Sequence, residues 1–385
     1  MGIGAGLYPR PVRVLIAPDK FRGTLSAGQA ALAIEIGWLR GRPEDRVVRV
    51  PMADGGEGTL DALLVASNGR RITTRVTGPL GDPVDAPFGV LPGPEGPVAV
   101  VEMSRASGIA LVGARRRDPT HATTRGTGEL IHAALAERPV RVVVAVGGSA
   151  TTDGGAGMAQ ALGARLLDAR EREIGPGGAA LLDLHRVDVS GLDPAARGVR
   201  FLVAADVDNP LVGRSGAASV FAPQKGASRE DVLLLDRALA HYAAILERDL
   251  GVEVRDLPGA GAAGGLAAGL VAFLGAHLRP GVEIVMEALR LPERVLSSDL
   301  VITGEGKLDA SSLGGKTVDG VARVAREAGV QTLVLAGRAD TKLEGAEVAS
   351  LVDRFGERRA FADASGALTE LAREQAVALT SSQSR

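Results

Sequence analysis

The chain repeats one local pattern: a short apolar run, a loop of glycines carrying a carboxylate, then a helical pattern. Its clearest instance is VVVAVGGSATTDGGAG at Val142–Gly157, where the apolar run gives way to Gly147-Gly148-Ser149-Ala150-Thr151-Thr152-Asp153-Gly154-Gly155. Such a run, rich in valine and without alternation, reads as a strand buried on both faces, as in a parallel sheet. The same pattern occurs twice in the first 66 residues. Val12–Ala17 leads into Pro18-Asp19-Lys20-Phe21-Arg22-Gly23-Thr24 and a helix with Ser26 as its N-cap, through about Leu39. Val47–Val50 leads into Pro51-Met52-Ala53-Asp54-Gly55-Gly56-Glu57-Gly58 and a helix over Thr59–Ala66. This spacing predicts βαβ units in a parallel sheet.

From Arg71 to Met103 the texture changes to short alternating runs between Gly-Pro turns. That predicts antiparallel or mixed sheet, and so a different domain or an insertion. Further on, Phe201–Ala205, Leu300–Thr303 and Thr332–Ala336 read as strands, and Arg229–Asp249 reads as an amphipathic helix. Gly259–Leu274 reads as one buried, closely packed helix, Lys316–Ala328 and Leu368–Leu379 as further helices, and Thr380–Arg385 as a frayed tail.

Composition narrows the function. At 385 residues the chain is long enough for two domains and a large core. A net charge of −2 leaves no electrostatic footprint for nucleic acid or an anionic membrane, and no stretch reads as a membrane span. The absence of cysteine excludes disulfides, thiolate metal sites and cysteine nucleophiles. The start MGIGAGLYPRP lacks the long apolar region of a signal peptide, and Gly6 breaks the myristoylation pattern, so a cytoplasmic address is expected.

Five expected strand ends carry the chemistry: Asp19/Lys20, Asp54/Glu57, Asp153, Asp206/Asp208 and Glu305/Asp309. Ligands of open parallel sheets bind at the carboxyl ends of the strands. Acids beside glycine loops and the lysines Lys20, Lys225, Lys307 and Lys316 suit Mg²⁺-dependent phosphoryl transfer. The metal takes carboxylate oxygens, the phosphoryl group takes fixed positive charge, and a carboxylate orients the attacking hydroxyl. The plain alternative for each acid is a turn former or N-cap. Gly314-Gly315-Lys316-Thr317 resembles the end of a Walker A loop, but Ala310 stands where its first glycine belongs. Gly259-Ala260-Gly261-Ala262-Ala263-Gly264 formally matches a dinucleotide fingerprint, with Glu283 near the position of its ribose acid, yet Glu253–Pro258 makes a poor strand and helix packing explains the glycines better. The five histidines fall at no metal-ligand spacing, and no Gly-x-Ser-x-Gly elbow is present.

Eight stretches in order resemble the bacterial type-1 glycerate kinase family: APDKFRGTLSA (17–27), PMADGGEGT (51–59), THATTRGTGELI (120–131), VGGSATTDGGAGMAQALGA (146–164), DVDNPLVG (206–213), FAPQKGA (221–227), GAGAAGGLAAGLVAFLGAHLRPG (259–281) and TGEGKLDASSLGGK (303–316). The resemblance implies two α/β domains, one flavodoxin/Rossmann-like with a parallel sheet and one mixed-sheet, restriction-enzyme-like domain inserted in it. The expected division is 1–70 with 290–385 against 71–289, with 124–162 open to either. It also implies ATP- and Mg²⁺-dependent phosphorylation of D-glycerate, with 2-phosphoglycerate favoured over 3-phosphoglycerate. The chain departs from the pattern at Lys20 and Arg22, where the family commonly reads Asp-Ser-Phe-Lys-Gly, and at Lys307, where arginine is common. Nothing is carried over onto 338–357.

Roles then follow from chemistry. ATP phosphates are expected against Gly147, Gly148 and Gly154, with Lys225 or Lys316 and with Glu305 on the cofactor side. Asp54, Glu57 or Asp206 would hold Mg²⁺, and Asp153 or Asp208 would orient the glycerate hydroxyl, with Lys20 catalytic. Lys20, Arg22 or Arg105 would pair with the glycerate carboxylate, and Ser149 would touch substrate. Closure between two domains would exclude water. The rivals are a Rossmann-type oxidoreductase binding NAD and acting on a small hydroxy acid, and a non-enzymatic small-acid binder. Oligomeric state is open, a homodimer included.

Overall fold

The computed structural model describes residues 10–312 and 316–381. Residues 1–9, the tail 382–385, and Gly314 and Gly315 of the Walker-like stretch lie outside them. The described residues within Met1–Asp54, Asp61–Ser67 and Val282–Arg385 form one compact unit, and those within Gly55–Leu60 and Asn68–Gly281 form a second.

In chain order the strands are β1 (Arg13–Ile16), β2 (Arg46–Arg49), β3 (Arg70–Thr77), β4 (Pro83–Leu91), β5 (Val98–Glu102), β6 (Arg141–Ala145), β7 (Arg165–Leu167), β8 (Arg186–Asp188), β9 (Arg200–Ala204), β10 (His277–Arg279), β11 (Leu300–Leu308), β12 (Gln331–Ala339) and β13 (Ala346–Ser350). The first unit holds a five-stranded sheet in the order β13-β12-β11-β1-β2, parallel throughout. The second holds a six-stranded mixed sheet in the order β10-β9-β6-β5-β4-β3, in which β4 runs antiparallel to β3 and β5. The expected parallel and mixed sheets are both present.

Local chemistry explains the first unit. Val14, Leu15 and Ile16 of β1 are buried between β11 and β2, as a central parallel strand requires. The helix Ala27–Gly41 starts on a capping box, with the Ser26 hydroxyl accepting from Gln29 N and the Gln29 side chain accepting from Ser26 N. Trp38 on its buried face donates its indole N–H to Asp45 Oδ2 at 2.9 Å. The same helix lies so close to the helix Ala364–Ser381 that a Cβ at Gly37 would run into the carbonyl of Thr369 and the methyl of Ala372.

Two stretches differ from expectation, both through glycine. Gly304–Leu308 reads as loop but continues β11, which pairs with β12 from Leu300↔Gln331 to Leu308↔Ala339. Gly304 has Leu335 O, and Gly337 has Gly306 O, where a Cβ would stand, so these glycines bring two strands together instead of ending one. Glu305 therefore sits within a strand, not at its end.

Gly259–Leu274 is also not one helix. A 3₁₀ turn at Ala262–Gly265, with Ala263 and Gly264 in the left-handed region, precedes the helix Leu266–Leu274. A Cβ on Gly264 would fall on the Thr151 carbonyl oxygen, and one on Gly265 would lie 2.9 Å from Gly154 Cα. No strand precedes this stretch in 251–258. Its glycines serve packing, and the dinucleotide match loses the strand it requires.

Among the described residues no helix is long and apolar enough to cross a membrane. Gly264→Ala, which combines a positive φ of 69° with that carbonyl clash, is expected to lower stability by about 1–3 kcal/mol, read as a fall in thermal midpoint.

Candidate functional site

The first unit brings its polar side chains together where β1 and β11 run out toward their carboxyl ends. Asp19, just past β1, is fixed by donation of its N–H to Gly304 O at 2.8 Å, and its own Oδ1 accepts from Lys20 N at 2.7 Å. Burial, and then the neighbouring charge of Asp54, push the Asp19 carboxyl above its ordinary range. Lys20 Nζ lies 3.3 Å from Asp54 Oδ1, and Arg22 Nη2 lies 3.8 Å from Asp54 Oδ2. The Arg22 side chain is 82% exposed, so its guanidinium faces solvent while leaning on Asp54.

Glu305 is pushed up to about 7, by burial first and by Asp19 and Asp309 after it, while the Ser312 hydroxyl and Lys316 pull the other way. Its Oε1 is buried without a hydrogen-bond partner. Lys316 is the exposed N-cap of the helix Thr317–Glu327 and makes no side-chain cap bond. Thr317, the first helical residue, is 2% exposed; its hydroxyl lies by the Asp19 carboxylate without reaching good hydrogen-bond geometry to any partner. Lys307 is instead committed to Asp309 at 3.0 Å and Asp340 at 3.2 Å.

In the second unit the central loop turns inward. The Asp153 carboxylate is completely buried and accepts from Thr124 N (2.7 Å), Thr124 Oγ1 (2.9 Å), Gly155 N (3.1 Å) and Gly157 N (3.3 Å). Burial pushes this carboxyl up, against those bonds. Lys225 is 2% exposed and donates its Nζ to Thr151 O at 2.6 Å; burial lowers it to about 7, with Asp153 opposing. Gly154, at a φ of 64°, presses its face on the Tyr242 ring. Asp153, Gly154 and Lys225, expected to meet ligand, are instead sealed inside and shape the loop from behind. A loop that reads as open in sequence is closed by the bonds to the Asp153 carboxylate and by Lys225 on the Thr151 carbonyl, while the hydroxyls of Thr151 and Thr152 are buried without a hydrogen-bond partner.

Only Gly147 and Gly148 of this loop reach solvent appreciably, while Ser149 is 8% exposed and bridged to Gly108. Arg105 Nε donates to the buried Glu102 at 2.8 Å, and Glu102 also accepts from Leu60 N at 2.8 Å. Asp206 Oδ1 accepts from Gly281 N at 2.8 Å, while Asp208 and Glu57 are exposed. The expected metal trio is divided: Asp54 belongs to the first unit, Glu57 and Asp206 to the second. Among the described residues no group of three or more His, Asp or Glu side chains is placed to hold a metal ion. Sequence reasoning gave no role to Thr317, Thr124 or Glu102; the threonine-rich stretch before Arg125 was the one signal for Thr124.

Two groups that change charge near neutrality act on stability with opposite sign. Glu305, raised from 4.5 to about 7, keeps its proton when folded and loses it when unfolded, so stability falls as pH rises between those values. Lys225, lowered from 10.5 to about 7, loses its proton when folded and keeps it when unfolded, so stability rises across that higher window. Thermal melts from pH 5 to 10 are expected to show Glu305→Gln flattening the acid-side fall and Lys225→Met flattening the alkaline rise.

Comparison with known proteins agrees with this architecture. The family model described as "Glycerate kinase family" matches residues 14–381. The chain is 49% identical over 326 residues to the glycerate 2-kinase of Escherichia coli strain K12, and 51% identical over 326 residues to the glycerate kinase of Bacillus subtilis strain 168, with 85% of each chain covered in both cases. A crystal structure from Salmonella typhimurium LT2, provisionally named glycerate kinase 2, superposes with a TM-score of 0.88 at 43% identity, covering 97% of this chain and 99% of that one. Sheet order, loop sequences and a match that runs almost from end to end place this chain in the glycerate kinase family.

Proposed function

We propose that this chain transfers the terminal phosphoryl group of ATP to D-glycerate in the presence of Mg²⁺, with 2-phosphoglycerate as product. The observation that carries the reading is the first unit's cluster, in which Lys20, Arg22 and Lys316 stand among Asp19 and Asp54, which follow β1 and β2, and Glu305 within β11. The family membership supports it, and the name of the Escherichia coli relative supports the choice of hydroxyl.

Phosphoryl transfer asks a protein for position and charge more than for covalent chemistry. Arg22 offers a solvent-facing fork that matches a carboxylate, so it suits the acid group of glycerate. Lys20, held by Asp54, supplies fixed positive charge for phosphoryl oxygens. Asp54 positions both cations. The donor set fits a magnesium nucleotide: carboxylates and lysines sit together, and the orphaned Glu305 Oε1 shows a polar atom that the fold leaves unsatisfied. When bound, Mg²⁺ neutralises phosphate charge. In the second unit, Asp153 and Lys225 hold the loop from inside so that the backbone of Gly147–Ser149 keeps its shape.

The test is ADP release with D-glycerate, ATP and Mg²⁺, together with ¹³C NMR of the product. Turnover that needs all three components, with phosphorus coupling centred on carbon 2, is the expected result. Glycerate-dependent thermal stabilisation without ADP release would favour the non-enzymatic binder. Arg22→Ala is expected to raise KM for D-glycerate by about tenfold with a much smaller change in kcat, since a charge-assisted fork to the substrate carboxylate is lost.

A further inference from the structure

We propose that Asp19, Glu305 and Thr317 of the first unit form a divalent-cation site that holds the metal of a nucleotide's phosphates, with Lys316 beside it for a phosphate oxygen. This rests on the proposed kinase reading and names where that reaction's cation sits.

The placement follows from strand register. β1 and β11 pair in parallel with Ile16 opposite Ile302, and the ladder continues through Ala17 N donating to Ile302 O and Asp19 N donating to Gly304 O. Three residues past Ile16 is Asp19, and three past Ile302 is Glu305, so neighbouring strands deliver two carboxylates at the same level. Each lies within the other's field or that of a further acid, with Asp54 acting on Asp19 and Asp19 on Glu305. Lys20 adds a favourable charge to Asp19, and its Nζ lies 3.3 Å from Asp54 Oδ1.

Two oxygens then point to a missing partner. Thr317 Oγ1, on a residue 98% removed from solvent, lies by the Asp19 carboxylate yet makes no hydrogen bond. Glu305 Oε1 is likewise buried and unpartnered. A fold leaves such atoms rarely and at a cost, unless something outside the chain completes them. Two carboxylates and one hydroxyl are an all-oxygen set, which suits a hard divalent cation. The set is too small for a closed protein cage, in keeping with the absence of any three-carboxylate or histidine group among the described residues. Mg²⁺ and Mn²⁺ accept just such incomplete sites, taking their other ligands from water and phosphate. The uncapped start of the eleven-residue helix Thr317–Glu327 adds amide donors on the side where those phosphates would lie. Lys316-Thr317, the end of a Walker-like match that fails at Ala310, thus keeps the chemistry of that motif's last two residues without its whole loop.

Mn²⁺ is titrated into the full-length protein with ADP present, with free Mn²⁺ read by electron paramagnetic resonance and folding checked by circular dichroism. Asp19→Asn and Glu305→Gln are each expected to weaken Mn²⁺ binding by about tenfold or more, and Thr317→Val by a smaller factor that Thr317→Ser restores. Asp168→Asn, a partly buried acid paired with Arg172 in the second unit, is the control expected to bind as wild type does. Unchanged Mn²⁺ affinity in folded Asp19→Asn and Glu305→Gln, or no saturable binding by wild type, overturns the site. Should the carboxylate variants fail to fold, the contrast between Thr317→Val and Thr317→Ser decides alone. If Mn²⁺ binds through these residues but D-glycerate is not phosphorylated, the site stands and the substrate reading falls.

Discussion

One carboxylate, that of Asp153, accepts four hydrogen bonds, and the second unit's central loop depends on them. The bonds join the loop after β6 to the start of the helix Arg125–Leu135, and the Thr124 hydroxyl extends the network by accepting from Met158 N. A buried carboxylate is costly unless its lone pairs are met, and here backbone amides near two helix starts meet them. Lys225 adds a second tie at the Thr151 carbonyl. The loop's glycines complete the arrangement by letting Tyr242 and the stretch Gly264–Gly269 approach its backbone. Remove the carboxylate and several buried N–H groups lose their acceptor together.

The first unit is built the other way. Its acids just past β1 and within β11 are crowded, half-satisfied and flanked by lysines, and two of its buried oxygens make no well-formed hydrogen bond. A protein tolerates such local conflict where a ligand resolves it, and the second unit has unpartnered hydroxyls of its own on Thr151, Thr152 and Tyr242. Asp153 has four donors and Glu305 Oε1 has none, although both residues lie in glycine-rich stretches of similar composition.

Much of the fold could be read from the chain. β1, β6 and the Ser26 cap follow from apolar runs and side-chain hydrogen bonding that are local in sequence. The failures share a cause. Gly304 and Gly306 signal a loop to any local reading, yet Gly304 lies against the Leu335 carbonyl of β12, some thirty residues away, and a Cβ on Gly306 would press on the backbone of Phe21 and Arg22. Lys225 and Asp153 read as solvent-facing because charged residues usually are, and only tertiary packing shows that each is buried beside the other. Thr317 stayed silent because a threonine after a lysine has no meaning until a strand brings Asp19 to it.

The ladder between β1 and β11 also has a consequence in time. Val14 pairs with Leu300, and the first long helix docks on the last, so the parallel sheet of the first unit cannot close until nearly the whole chain has been made. The second unit draws almost all its residues from one continuous stretch that ends at Gly281. At a synthesis rate of about 5–20 residues per second, the opening strand waits roughly 15–60 s for its partner. During that interval the buried residues Val14, Leu15 and Ile16 of β1 lack β11, the parallel neighbour that covers one edge of their strand.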